Sequence, residues 1–197
     1  MAKQDGSSNS FAMSQLICLG PKPLVNDENE AEYDDLVTQM INAAAPKDFL
    51  EITWVRDIVD SLWETRRLRR IKHSILSASH IAATKEILED PDDEKDVTAT
   101  GRLINEMSNG VPAAKAMILA RLKRMGFDEG AMEAYGFLWS VEVIKQIEAM
   151  IDRADTRRHL ATLQMRRHKE FALRMNRAVA DVLDAEFREL PASAAAT

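Results

Sequence analysis

A seam of mostly apolar residues in the last third of the chain constrains its fold more than any other feature. The seam alternates spacings of three and four residues, without a break, at Ile144, Ile147, Ile151, Ala154, Arg158, Ala161, Met165, His168, Ala172, Met175, Val179 and Val182. Such alternation averages about 3.5 residues, the period at which a helix keeps one face against a partner helix. Neither glycine nor proline occurs between Phe137 and Leu190. We therefore predict one long helix, or two collinear ones, with coiled-coil character.

The composition fits a protein built from long helices. Hydrophobic residues make up 46% and charged residues 29% of the 197 residues, a balance unlike that of disordered chains. Seven glycines and six prolines leave few positions for turns, so each element should be long. The apolar stretches fall short of the roughly 18 to 20 residues that a membrane span needs. The sequence predicts a soluble, all-α protein, folded as a long-helix hairpin or bundle and free of a secretory signal.

Turn signals divide the chain into segments. We predict a disordered or extended amino-terminal arm, a pair of helices, an acidic linker, a second helical segment with the long final helix, and a tail, over residues 1–25, 26–88, 89–97, 98–190 and 191–197. The first helix should be capped by Asn26 or Asp27 and should end near Ala44. The second should begin at Asp48, which has Glu51 three positions later in the spacing of a capping box.

Helix boundaries in the second helical segment are also marked. A short helix should close near Gly110, and the next should begin with Pro112, because proline suits the first helical position. Gly126 fits the left-handed residue of a Schellman ending, and Asp128 follows as a cap for the final helix, which should end before Pro191. These signals predict helices joined by short turns.

The sequence contains none of the common motifs of catalytic or metal-binding sites. Cys18 is the only cysteine, so it forms no internal disulfide, and we interpret it as a small buried residue in a reducing cytoplasm. The histidines lack the spacing of paired metal ligands on one helix, at His73, His80, His159 and His168. Phosphate-loop, dinucleotide and nucleophile-elbow motifs are missing. We predict no catalytic, cofactor-binding or metal-binding residue, and hence a protein that is not an enzyme.

Arginine-rich stretches suggest a contact surface. The candidate interaction residues in the second helix are Trp63, Arg66, Arg67, Arg69 and Arg70. Solvated positive charges attract phosphates, so nucleic acid is one candidate partner. The formal net charge of −6 and the acidic stretches 27–35 and 86–96 favour a charged helix face paired within the chain. The three- and four-residue offsets from Trp63 would also allow a guanidinium to lie on its ring.

Two polar residues interrupt the apolar seam, Arg158 and His168. A polar residue at a core position of paired helices costs stability but restricts the register and the number of helices. We interpret both residues as devices that specify how helices pair. Arg158 could meet Glu148 or Asp155 of a partner helix.

Two stretches carry a resemblance to a bacterial group. Residues 29–36 form an acidic segment with an aromatic residue and a leucine, and residues 54–60 and 63–70 form a helix rich in tryptophan and arginine. The chain resembles a widespread set of short, uncharacterised bacterial helical proteins with no established activity. The resemblance covers residues 16–77 and continues loosely into 147–177. It implies a bacterial, intracellular origin.

The sequence therefore predicts a scaffold or regulatory protein that associates through its long helices. The expected partner is a second copy, in a homo-oligomer, or another helical protein, with no membrane involved. The alternative is a nucleic-acid-binding regulator that uses the arginine-rich helix faces.

Overall fold

The protein is helical throughout its regular structure. A computed structural model describes residues 15–16, 19–26, 28–89 and 94–189. Its helices are α1 (Glu30–Ala44), α2 (Phe49–Leu88), α3 (Glu94–Ser108), α4 (Pro112–Arg124) and α5 (Glu129–Glu189). The described residues contain no strand, so the predicted all-α class is confirmed. The predictions for residues 1–14, Cys18, Asp27, residues 90–93 and the tail lie outside the described residues.

Helix α1 begins two or three residues later than the predicted cap at Asn26 or Asp27 implied. Its cap is Asn29, whose side-chain oxygen accepts hydrogen bonds from the N–H groups of Ala31 and Glu32. The predicted cap at Asn26 is wrong, because that residue adopts a left-handed conformation with φ of 50° ahead of the helix. The predicted end is confirmed at Ala44, where a left-handed Ala45 returns its N–H to the Ile41 carbonyl.

The capping signals of the later helices are confirmed. Asp48 accepts a hydrogen bond from the Glu51 N–H at 2.9 Å, and the Glu51 carboxylate accepts one from the Lys47 N–H at 2.8 Å. Gly126 has φ of 88°, and the Phe127 N–H reaches the Leu122 carbonyl at 3.0 Å, as a Schellman ending requires.

The final helix is one continuous element, α5, which starts after the Asp128 cap. The predicted acidic linker is shorter than expected, because α3 already begins at Glu94. Acidic residues in a first turn favour helix, since they face the positive end of the helix dipole.

The chain forms two compact units. Unit 1 contains the described residues up to Trp63 and from Ala154 onward, and unit 2 contains Glu64–Arg153. The predicted division at the acidic linker differs from this one, because residues 89–97 fall inside unit 2. Among the described residues, no helix is both long enough and apolar enough to cross a membrane.

Unit 1 is built on the packing of α1, the first half of α2 and the segment that precedes α1. Its buried core consists of Leu16, Tyr33, Val37, Ile41, Ile52, Val55, Val59 and Trp63. The seam residue Met165 of α5 packs against this cluster. The core therefore draws residues from distant parts of the sequence.

The described residues of unit 2 form two apolar clusters. The larger comprises Ala83, Leu88, Ile104, Ile118, Leu122 and Met132, and the smaller comprises Leu68, Ile147 and Ile151. Helices α2 and α5 approach closely at Gly136, where an added Cβ would lie 2.9 Å from the His80 Cα. A side chain at Gly136 would therefore force the two helices apart.

Candidate association surface

The seam predicted on α5 is covered by the chain's own helices over much of its length. In unit 2, Ile147 and Ile151 pack against Leu68 of α2. In unit 1, Ala154 and Ala161 are buried, with 0% and 4% exposure. The seam is therefore a real packing face, and from Ile144 to Ala161 its apolar residues are buried within the chain.

His168 and Lys169 fasten α5 to the corner between α1 and α2 in unit 1. The His168 Nε2 lies 2.7 Å from an Asp48 carboxylate oxygen, and the Trp54 ring meets the imidazole edge to face at 5.4 Å. Lys169 donates a hydrogen bond to the Ala44 carbonyl at the end of α1. Asp48 is the cap of α2, so adjacent residues of α5 bind the end of one helix and the start of the next.

The charge of Asp48 is stabilised at this corner. Partial burial raises the pKa of Asp48, but hydrogen bonds from the Glu51 N–H and from His168 outweigh that effect, so the pKa lies below the ordinary value of 3.8. His168 was predicted to be a polar seam residue that specifies helix pairing. The structure gives it a partner inside the chain, 120 positions away in the sequence.

The same corner brings together possible metal ligands. Asp48, Glu51 and His168 each offer a donor atom within 4.8 Å of the others. Glu51 is buried at 2% exposure, and its carboxylate already has the Lys47 N–H at 2.8 Å and the Lys169 ammonium at 3.7 Å. The ammonium supplies the positive charge that a cation would otherwise bring. We therefore interpret the cluster as an ion-pair network that fixes helix ends.

Arg158 also finds a partner within α5. Its guanidinium lies 3.2 Å from the Asp155 carboxylate, three residues earlier on the same helix, and both side chains are partly exposed. Asp155 was one of the partners predicted for Arg158, although on a second helix. A pair of this kind on a helix surface contributes about 0.2 to 1 kcal/mol.

Beyond the corner, the apolar seam continues into an exposed stretch of α5. Every residue of α5 from Glu170 to Asp184, here called the distal segment, is exposed. Its large apolar side chains are 49% to 60% exposed, namely Phe171, Leu173, Met175, Val179, Val182 and Leu183. Scattered exposed apolar residues are normal, but a continuous apolar helix face is unusual on the surface of a folded monomer.

The distal segment is strongly two-sided. At about 100° per residue, its charged residues fall within an arc of about 80°, at Glu170, Arg174, Arg177, Asp181 and Asp184. Glu170 and Arg174 pair along that arc at 3.8 Å. An opposite arc of about 140° is wholly apolar and includes Met175, Val179 and Val182. The exposed face therefore has the pattern of a helix that packs against others.

The candidate arginines of α2 lie mainly at the surface. Arg66, Arg69 and Arg70 are exposed, and Arg67 is partly buried. Further along, Lys72 of α2 donates a hydrogen bond to Glu148 of α5 within unit 2. The exposed guanidinium groups of Arg66, Arg69 and Arg70 could contact phosphates or acidic side chains.

Trp63 lies in the core of unit 1. It is 2% exposed, its ring meets that of Tyr33 edge to face at 5.5 Å, and its indole N–H donates to Glu28 at 2.8 Å. Its predicted stacking with Arg66 or Arg67 stays a prediction. The indole is thus a packing residue that also ties the segment before α1 to α2.

A groove of about 680 Å³ lies beneath the segment 19–26. Its walls include Leu16, Leu24 and Val37, together with charged side chains that already bind one another. Lys22 lies 2.6 Å from Glu30 and 2.7 Å from Asp34, and these bonds raise the pKa of Lys22. The charged groups of the groove therefore serve to hold this segment in place.

The Tyr33 hydroxyl belongs to the same region. Burial raises the pKa of Tyr33, and its hydrogen bond to Asp60 raises it further. Asp60 also accepts hydrogen bonds from Arg56 at 2.9 Å, and Arg56 donates to the Pro21 carbonyl at 2.6 Å. This chain of bonds links α1, α2 and the preceding segment, and it keeps the tyrosine protonated as a donor.

Sequence reasoning identified the seam but missed the corner. The pairing of Asp48 with His168 connects residues too distant for any local motif to reveal. The polar interruption at His168 was the available signal, since a histidine on an apolar face needs a partner. No family model, no curated protein and no solved structure matches this chain. The resemblance to the bacterial group remains a prediction.

Proposed function

We propose that this chain is a non-enzymatic scaffold or regulatory protein that associates with other helices through the distal segment of α5. The observation that supports this proposal is the continuous exposed apolar face from Phe171 to Leu183. The face continues the same spacing that packs within the chain as far as His168. A reducing bacterial cytoplasm is the compartment that fits the lone cysteine and the resemblance.

Burial of the exposed apolar face would favour association. Complete burial of a valine, leucine or methionine side chain contributes about 1.5 to 3 kcal/mol. Met175, Val179 and Val182 are each about half exposed, so a covering partner would gain part of that energy at every position. Covering the face would also stabilise the helix itself, because short helices without packing are marginal in water.

Site-specific photo-crosslinking in the source cells tests the proposal. A benzophenone amino acid at Val179 lies on the apolar arc, and the same amino acid at Arg177 lies on the charged arc as a matched control. We expect a discrete cross-linked species from position 179, lost when Met175→Glu is added, and none from position 177. Equal cross-linking from both positions, or none from position 179, would refute an association surface here.

Nucleic-acid binding is the second candidate function. The exposure of Arg66, Arg69 and Arg70 on α2 is the observation that favours it. Phosphate contacts release counterions, so affinity for duplex DNA should fall steeply as salt rises. A gel shift with random duplex DNA across a salt series tests this candidate, and the absence of a salt-sensitive complex would exclude it.

A further inference from the structure

We infer that the occupant of the distal segment is the same segment of other copies of this chain, which makes the protein a homo-oligomer joined through α5. The inference rests on the proposed function and names its partner. Four properties of Glu170–Asp184 support it: the continuity of the seam, the uncharged flanks, the balance of charge and the width of the apolar arc.

The seam continues from a packed region into an exposed one. Its residues pack against the chain's own helices up to the corner at His168, and every side chain from Glu170 to Asp184 is exposed. The spacing of Ala172, Met175, Val179 and Val182 follows the earlier seam without a shift in register. The face therefore suits packing against helices of the kind this chain already supplies.

The positions beside the core positions of the seam, whose charges usually select the partner helix, are uncharged in the distal segment. In paired helices, residues beside the core positions form ion pairs that select one partner and one orientation. Those flanking positions are occupied by Phe171, Asn176, Ala178 and Leu183. A different partner would gain no charge complementarity from them, and an identical copy meets no like-charge repulsion.

The polar side of the distal segment is nearly neutral. Glu170, Asp181 and Asp184 are acidic and Arg174 and Arg177 are basic, so the formal charge of this arc is −1. Identical segments can gather without the repulsion that a single-sign arc would create. The near-neutral arc also lacks the single-sign field by which a nucleic-acid-binding helix attracts phosphates.

The apolar arc is wider than one partner helix would cover. An arc of about 140° exceeds the narrow stripe of a two-helix seam and is typical of helices that face the centre of a bundle. In a closed symmetric assembly of identical helices, each helix covers part of the apolar arc of its neighbours. Copies of this chain supply that set of faces.

Light scattering on the purified full chain, coupled to size exclusion, tests the inference. We expect the parent to have the mass of two or more chains, that is, at least twice 22.1 kDa. The variant Met175→Glu/Val179→Glu should weaken self-association at least about a hundredfold, because two apolar side chains are lost from the buried face. The variant Arg174→Ala/Arg177→Ala lowers the net charge by the same two units and should keep the parent's mass.

The substituted side chains are exposed, so misfolding is not expected, and unchanged helix content by circular dichroism would verify this. A parent that stays at 22.1 kDa at every concentration overturns the inference. If cross-linking at Val179 then captures a different protein, the proposed function stands and only the partner is wrong. If position 179 gives no cross-link either, both fail.

Discussion

His168 and its neighbour Lys169 together connect α5 to both α1 and α2. The His168 imidazole binds the carboxylate that caps α2 and contacts Trp54, while Lys169 binds the end of α1. The Lys169 bond satisfies a carbonyl group that the end of α1 leaves free. Packing of α5 within unit 1 stops at Lys169, because the residues from Glu170 to Asp184 are exposed.

Replacing His168 by leucine should lower the free energy of unfolding by about 1 kcal/mol. The hydrogen bond to Asp48 is charge-assisted, but the Asp48 side chain is 45% exposed, so water recovers part of the loss. Denaturant unfolding measures the effect. His159→Leu, an exposed histidine of the same helix, is the control and should leave stability unchanged. Equal stability of the two variants would show that the contact of His168 with Asp48 does not stabilise the folded protein.

Acid should remove the contribution of Asp48. Because the folded state lowers its pKa below 3.8, the ionised carboxylate stabilises the protein above that pH, and the contribution is lost as the pH falls through the lower folded value. The variant Asp48→Asn keeps a good helix cap without the charge. We expect it to be less stable than the parent at neutral pH and to approach the parent below about pH 3.8.

Thermal unfolding from neutral to acidic pH would measure that convergence. Asp181→Asn, on the exposed distal segment, serves as the control. A stability difference for Asp48→Asn that stays constant across the titration would contradict the role assigned to the carboxylate.

Among whole elements, the close approach of α2 and α5 in unit 2 depends on Gly136. Gly136→Ala places a Cβ 2.9 Å from the His80 Cα, and backbone cannot yield as a flexible side chain can. The clash should cost about 1 to 3 kcal/mol, less the gain of up to about 1 kcal/mol that alanine brings to a helix.

Gly101→Ala provides the matched control for that substitution. Gly101 lies inside α3, and an added Cβ there would meet no atom within 4 Å. It should therefore stabilise the protein by up to about 1 kcal/mol. Calorimetry of the two variants should give shifts of opposite sign. A stabilised Gly136→Ala would mean that the helices are farther apart than described.

Hydrogen exchange should show whether a partner covers the distal segment. A helix without packing exchanges its amides quickly, whereas a helix covered by a partner is protected. We expect protected amides from Glu170 to Asp184 in the parent and fast exchange in Met175→Glu/Val179→Glu. Amides from Ala154 to Met165 should stay protected in both proteins, since that part packs within unit 1. Fast exchange of the distal segment in the parent would argue against a covered face.

Over the whole chain, local sequence signals predicted most helix ends, but they did not predict the contacts between distant residues. Pro112, Gly126 and Asp128 act within a few residues of themselves, so their positions in the sequence were sufficient to predict the turns. The seam on α5 showed that one face needs cover, but its spacing is the same whether the cover comes from this chain or another. For that reason, neither the pairing of His168 with Asp48 nor the point where cover ends could be read from the sequence.

Charge distribution over the molecule leads to the last prediction. The chain carries a net charge of −6, yet Arg66, Arg69 and Arg70 are exposed. If these arginines and Arg67 mainly pair within the chain, replacing all four by glutamine should lower stability by about 1 to 2 kcal/mol, since each exposed pair contributes up to about 1 kcal/mol. Affinity for nucleic acid should change little, because the parent would bind only weakly through nonspecific contacts.

Melting temperatures and gel shifts across a salt series would be measured on the same preparations. The control replaces Arg166, Arg167, Arg174 and Arg177 by glutamine, which alters the net charge equally, from −6 to −10 in both variants. Loss of binding in both would reflect net charge alone. Tight, salt-sensitive DNA binding that disappears only in the α2 variant, with its melting temperature unchanged, would make these arginines a nucleic-acid surface. That result would favour the second candidate function, because a structural pairing role requires stability to fall with the charges.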